Sequence, residues 1–65
     1  MRQDGRMPLI QISQTPGLTA DQKRAAIAAV TAAYAEATGK NPDAVWVTLT
    51  DIPREAWGVG GKPLG

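Results

Sequence analysis

The sequence contains no cysteine and no histidine. It therefore offers neither a disulfide to staple a small fold nor an obvious set of zinc ligands. Phenylalanine is also absent, and leucine, isoleucine and valine occur only four times each in 65 residues. A chain of this length buries about 60% of its unfolded surface. With so small a core and neither kind of staple, oligomerisation is the usual remaining way to stabilise the fold.

Strong charge and long hydrophobic runs are lacking as well. The formal net charge is +1, which gives no strong steering towards nucleic acid or a membrane surface. No apolar run approaches the roughly 20 residues of a membrane span. Residues 1–6 lack the apolar centre of a signal peptide. We expect a soluble cytoplasmic protein that binds neither nucleic acid nor a membrane.

In two short segments, residues 9–13 and 45–50, successive side chains fit the alternation between two faces that is typical of a β-strand. One face of each predicted strand is apolar, formed by Ile10 and Ile12 in the first and by Val45, Val47 and Leu49 in the second. The opposite faces carry Leu9 and Gln11 in the first strand and Trp46, Thr48 and Thr50 in the second.

A long helix is predicted between these strands, from about Ala20 to Thr38. Thr19 and Gln22 have the spacing of a capping box, and Gly39 is a natural stop. The apolar stripe predicted for this helix consists of Ala26, Ile27, Val30, Ala33, Tyr34 and Ala37.

This order predicts an α+β fold built on a single βαβ unit with two parallel strands. The helix covers one face of the sheet, and two strands alone are not a stable sheet. Leu9, Trp46 and the tail are therefore expected to meet another subunit. After Thr50 the pattern changes to a turn and a glycine-rich arm that runs to Pro63.

Met7-Pro8 directly precedes the first strand. Removal of an initiator Met7 would leave Pro8 with a free secondary amine, which is a base and a nucleophile. If translation starts at Met1, the same nitrogen is an amide and has no such chemistry. The alternative is a structural role, because proline opens an edge strand at no cost in hydrogen bonds.

Two other groups of residues carry little chemistry. Gly58-Val59-Gly60-Gly61-Lys62 lacks phosphate-loop spacing, has Pro63 where Ser or Thr is needed, and precedes no helix pattern. A hairpin that reaches a neighbour is the better interpretation. The carboxylates show no paired spacing and are interpreted as caps and solvated side chains: Asp4, Asp21, Glu36, Asp43, Asp51 and Glu55.

Three segments together resemble the 4-oxalocrotonate tautomerase family. They are Met-Pro-Leu-Ile-Gln-Ile, Leu-Thr-Ala-Asp-Gln-Lys-Arg at the helix start, and Val-Trp-Val-Thr-Leu-Thr-Asp-Ile-Pro-Arg-Glu-Ala-Trp-Gly-Val-Gly-Gly. The resemblance runs from Pro8 to about Lys62. It divides the chain into an N-terminal extension, residues 1–7, and a tautomerase-like domain, residues 8–65.

The resemblance implies a hexamer, arranged as a trimer of dimers, in which the hairpin of one protomer packs on the next. It implies an isomerase that moves a proton in keto-enol interconversion of a small 2-oxo or enol carboxylate, without a cofactor or metal. Pro8 takes the position of the catalytic base, and Trp57 that of the aromatic residue in the active-site wall.

Two positions depart from the family pattern. Well-studied members carry arginines where Leu18 and Trp46 stand here, and neither side chain can replace an always-charged bidentate donor. The resemblance therefore predicts a more apolar site for a substrate other than a doubly charged muconate. Arg54 is the nearest candidate for a single positive group, and Trp46 and Trp57 could stack on a flat substrate or pack a subunit contact.

A second class of function stays open at this point. The chain could be a catalytically silent member that serves as an oligomer partner or binds a small ligand. A hetero-oligomer is the alternative to a homo-oligomer. The chemical state of the Pro8 nitrogen separates the enzyme from the silent member.

Overall fold

A computed structural model describes residues 8–65 of the chain. It has an α+β fold, in which one long helix lies between two parallel strands and a small hairpin follows. The elements are β1 (Leu9–Gln14), α1 (Ala20–Thr38), β2 (Trp46–Asp51), β3 (Gly58–Val59) and β4 (Lys62–Pro63), with 3₁₀ turns at Pro42–Ala44 and Arg54–Ala56. The predicted βαβ unit is confirmed, and residues 1–7, including Met1, Asp4 and Met7, lie outside the described residues.

The two parallel strands pair in register, from Leu9 beside Trp46 to Gln14 beside Asp51. Burial alternates along both strands as predicted, with the isoleucines of β1 on the partly buried face. The second strand begins one residue later than predicted. The reason is local: the Val45 N–H donates to the Pro42 carbonyl at 3.2 Å and so closes the preceding 3₁₀ turn.

Both ends of α1 lie where the sequence predicts them. The Thr19 hydroxyl accepts from the Gln22 N–H at 3.1 Å, and the Gln22 side chain accepts from the Thr19 N–H at 2.8 Å. This reciprocal cap satisfies two amides that have no partner within the helix. At the other end Gly39 takes a left-handed conformation, with φ 77°, and its N–H donates to the Ala35 carbonyl at 2.9 Å.

The predicted apolar stripe of α1 is wrong in part. Ala33, Ala37 and Ile27 are exposed, whereas Ala35 is only 8% exposed and is the one buried residue among residues 8–65. The remaining members of the stripe, Ala26, Val30 and Tyr34, are half-buried. The buried side of α1 is turned from the predicted stripe towards Ala35, because the way the helix lies over the sheet decides which side chains are covered.

No element of residues 8–65 covers the face of the sheet opposite α1. Leu9 is 51% exposed and Trp46 is 53% exposed on this face. Residues 8–65 include no helix that combines the length and the apolar character needed to cross a membrane. The protomer thus leaves large apolar side chains at its surface.

The glycine-rich arm is the antiparallel hairpin β3–β4, as predicted. Val59 pairs with Lys62, and Gly60 and Gly61 connect them with φ values of 61° and 86°. Two successive left-handed residues give the tight turn that suits the twist of a hairpin, and glycine takes this conformation without steric cost. The hairpin packs against the 3₁₀ turn Arg54–Ala56.

Candidate functional site

Pro8 is held in place by the strand that follows the helix. It lies directly before β1 and is half-buried. The Pro8 carbonyl accepts a hydrogen bond from the Trp46 N–H at 2.8 Å. Pro8 directly precedes Leu9, whose register partner in β2 is Trp46. Of the four residues predicted for the site, the structure therefore brings Pro8 and Trp46 together.

The Trp46 side chain lies beside Leu9 on the uncovered face of the sheet. The two residues are register partners, and adjacent strands are about 4.8 Å apart. An indole and a leucine at this spacing form one apolar surface next to the residue that carries the candidate base. No charged side chain of β1 or β2 shares this face with them, because the residues that follow on it are Gln11, Ser13, Thr48 and Thr50.

Arg54, Trp57 and Leu64 form a second group, which we call the tail clasp. The Leu64 N–H donates to the Trp57 carbonyl at 2.9 Å and to the Arg54 carbonyl at 3.2 Å. The Arg54 guanidinium donates in return to the Leu64 carbonyl at 3.2 Å. The chain from 54 to 64 therefore closes on itself around the hairpin, and Trp57 is half-buried within it.

The two groups lie at opposite ends of β2, which starts at Trp46 and ends at Asp51. Six residues of strand span roughly 17 to 20 Å. Among residues 8–65 no hydrogen bond or ion pair joins Pro8 or Trp46 to the tail clasp. Leu18 is exposed in the loop between β1 and α1, at the edge of the sheet where β2 ends. Pro8 and Trp57 are thus not brought together by the contacts within one protomer.

A polar cluster at the end of both strands was not predicted. The Lys23 ammonium lies 2.6 Å from one carboxylate oxygen of Asp51, and the Gln14 amide donates to the other at 3.1 Å. The hydrogen bond from Lys23, and then that from Gln14, hold the pKa of the Asp51 carboxyl below its ordinary value. These residues are 28 and 37 positions from Asp51 in the sequence, so no local pattern signals the cluster.

The other described carboxylates do not form a catalytic pair. Asp21 accepts from Arg24 one turn along the helix, and Asp43 and Glu55 lie in the first turns of the short 3₁₀ segments. Within residues 8–65 no group of carboxylate side chains could hold a metal ion.

The family model described as "Tautomerase enzyme" matches residues 8–65, from the candidate base to the last residue of the sequence. A 2-hydroxymuconate tautomerase of Comamonas testosteroni is 42% identical over 62 residues, which cover 91% of this chain and 98% of that protein. The probable tautomerase K2 of Dickeya dadantii is 39% identical over 59 residues, covering 89% of this chain and 88% of that protein.

Solved structures give the same result. A 4-oxalocrotonate tautomerase isozyme of Methylibium petroleiphilum is 44% identical, with a TM-score of 0.80 over 88% of this chain and 92% of its own. A heterohexamer 4-oxalocrotonate tautomerase of Chloroflexus aurantiacus is 29% identical, with a TM-score of 0.82 over 89% of this chain and 94% of its own. The family model, the relatives and the shared fold agree, and the chain belongs to the tautomerase family.

Proposed function

We propose that this protein is a tautomerase that moves a proton in a small 2-oxo or enol acid, with the Pro8 nitrogen as the base. The position of Pro8 is the observation that supports this proposal. Pro8 is the first residue matched by the family model, and it directly precedes β1. Only a chain that begins at Pro8 has a basic secondary amine there. We therefore propose that the active form starts at Pro8, after removal of Met7.

The reaction requires one group that takes and returns a proton. The Pro8 amine accepts the proton of the enol hydroxyl, the O–H electrons form the carbonyl, and the electrons of the carbon-carbon double bond shift to carbon. The protonated amine then gives the proton to that carbon. A base works best when its pKa lies near the working pH, and apolar neighbours favour the neutral amine.

We propose that the site is shared between protomers. The separation of Pro8 and Trp57 along β2 supports this, because one protomer holds the base at one end and the aromatic wall at the other. Leu9 and Trp46 leave an apolar face that a second copy would cover. The proposed assembly is a homohexamer built as a trimer of dimers. The heterohexamer of the Chloroflexus aurantiacus relative makes a mixed assembly the alternative.

We propose a substrate with one carboxylate and a flat apolar body. The positions of Leu18 and Trp46 supply no guanidinium, so a second carboxylate would lack its charged partner. Trp57 and Trp46 offer faces on which a conjugated or aromatic body can stack. Arg54, which belongs to the same turn as Trp57, supplies the single positive group for the carboxylate.

The test compares two forms of the protein, one beginning at Met1 and one at Pro8, each verified by intact mass. We expect ketonisation of phenylenolpyruvate by the form that begins at Pro8 alone. Pro8→Ala in that form should abolish the activity while sedimentation shows the assembly intact. Pro16→Ala is the matched control, because Pro16 lies in the loop before α1 and its nitrogen is an amide in either form.

Two results would contradict the proposal. Equal activity of the two forms would exclude the Pro8 amine as the base. Absence of activity in both forms would indicate that the chain is not an enzyme but an oligomer partner or a small-ligand binder. Intact mass of the protein made from its native gene would then show which form the cell produces.

A further inference from the structure

In the tail clasp, the backbone of Leu64 is hydrogen-bonded to both Arg54 and Trp57, the two residues proposed to bind the substrate. The proposed function assigns no role to Leu64. Leu64 follows β4, and its peptide groups contact both Arg54 and Trp57. Its N–H is shared between the carbonyls of these two residues, at 3.2 and 2.9 Å. Its carbonyl accepts from the Arg54 guanidinium at 3.2 Å. All these contacts involve the main chain of Leu64, whereas its side chain is exposed.

The chain after Leu64 also lies close to Arg54. A Cβ atom placed on Gly65 would lie 3.0 Å from the Arg54 Cβ, which is tighter than nine in ten Cβ contacts in proteins. Arg54 is exposed, but the Gly65 backbone lies against its stem and the Leu64 carbonyl accepts from its guanidinium. An arginine side chain has much rotamer freedom to lose, so fixing it in advance lowers the cost of binding an anion.

We propose that Leu64 is a positioning residue, whose N–H and carbonyl hold Arg54 and Trp57 as one preformed unit for a flat monocarboxylate. This inference rests on the proposed function for the roles of Arg54 and Trp57. It adds that the two act together, because the N–H and the carbonyl of one residue set their relation. The carboxylate would meet the remaining donors of a fixed guanidinium, and the body of the substrate would meet an indole at a set distance.

The first test removes the shared N–H. Leu64→Pro deletes the donor to both carbonyls, whereas Leu64→Ala keeps it and shortens only the exposed side chain. In a Trp46→Phe background Trp57 is the one remaining indole. We expect acrylamide to quench its fluorescence about twofold more effectively in Leu64→Pro, since the loss of the shared hydrogen-bond donor loosens the turn. Quenching in Leu64→Ala should equal that of the parent.

The second test measures turnover in chains that begin at Pro8 and carry Trp46. With phenylenolpyruvate, Leu64→Pro should raise KM about threefold to tenfold, as expected for one lost hydrogen bond to a binding group. The kcat should change less than KM, because the Pro8 amine performs the proton transfer. Arg24→Ala is the control for loss of an arginine, since Arg24 pairs with Asp21 on the exposed side of α1.

A double-mutant cycle decides whether the residues act as one unit. Arg54→Ala should raise KM, and Arg54→Ala with Leu64→Pro should be no worse than the more severe single variant. Additive effects would overturn the inference, as would Trp57 quenching that Leu64→Pro leaves unchanged while sedimentation shows the same assembly. Because quenching requires no turnover, it decides the positioning role even if the wild-type chain proves inactive and the proposed function fails.

Discussion

The Trp46 amide donates to the Pro8 carbonyl over 2.8 Å, so the residue that replaces a family arginine also anchors the candidate base. This bond belongs to the backbone and survives any substitution at position 46 other than proline. Substitutions of Trp46 can therefore test the specificity of the site without moving Pro8.

Trp46→Arg should shift the preference towards a dicarboxylate. A guanidinium bound to a carboxylate contributes roughly 1.5 to 3 kcal/mol, so we expect kcat/KM for 2-hydroxymuconate to rise about tenfold or more relative to phenylenolpyruvate. Trp46→Phe, which keeps an uncharged ring, should retain the preference of the wild type. A wild-type protein that already prefers 2-hydroxymuconate would show that another cation performs the task of the missing arginines.

The pH profile of kcat/KM should shift when an arginine is restored at position 46. A positive charge near the Pro8 amine disfavours its protonated form and lowers its pKa, so the basic form persists at lower pH. We expect the acidic limb of kcat/KM for Trp46→Arg to shift down by roughly half a unit or more. Trp46→Phe is the uncharged control, and an equal shift in that variant would exclude a charge effect.

Removal of the hairpin should loosen the assembly. A chain that ends at Trp57 lacks β3, β4 and the Leu64 contacts that hold the tail. We expect sedimentation to show smaller species at micromolar concentration, whereas Lys62→Ala, which keeps the hairpin backbone, should retain the full size. A truncated chain of unchanged size and stability would contradict the role given to this arm.

Asp51 should make the free energy of unfolding depend on pH in the acidic range. Its pKa is lowered in the folded state from the ordinary value of 3.8, so its contribution is fully present above that value. The contribution is lost as the pH falls through the lowered pKa, because protonation ends the ion pair with Lys23. Asp51→Asn should therefore lower the urea midpoint at pH 7 and flatten its acid dependence at fixed protein concentration. Glu36→Gln, an exposed change on α1, should leave that dependence in place.

The sequence predicted the parts of the fold that depend on neighbours along the chain. The Thr19–Gln22 cap, the Gly39 stop and the alternating strands involve residues one to four positions apart, and each lies where expected. The helix stripe was less predictable. Whether Ala33 or Ala35 is buried depends on which side of the helix faces the sheet, which helix periodicity does not contain.

The candidate site likewise has residues that the sequence predicts and contacts that it does not predict. Pro8 and Trp57 are predicted for the site because each belongs to a compact motif that resembles the family. The hydrogen bonds of Leu64 to residues seven and ten positions earlier depend on the hairpin turning back, and those of Asp51 depend on three elements meeting. The sequence marks the residue types that can make such contacts, but it does not show which of them meet.

Ala35 is the one buried side chain among residues 8–65. A protomer with so little interior has little to gain from folding before it meets a second copy. Refolding from denaturant should accordingly become faster as more chain is supplied, and the midpoint of unfolding should rise with total protein. If the chain assembles as proposed, further copies made nearby in quick succession should shorten the time that a newly made protomer spends unfolded.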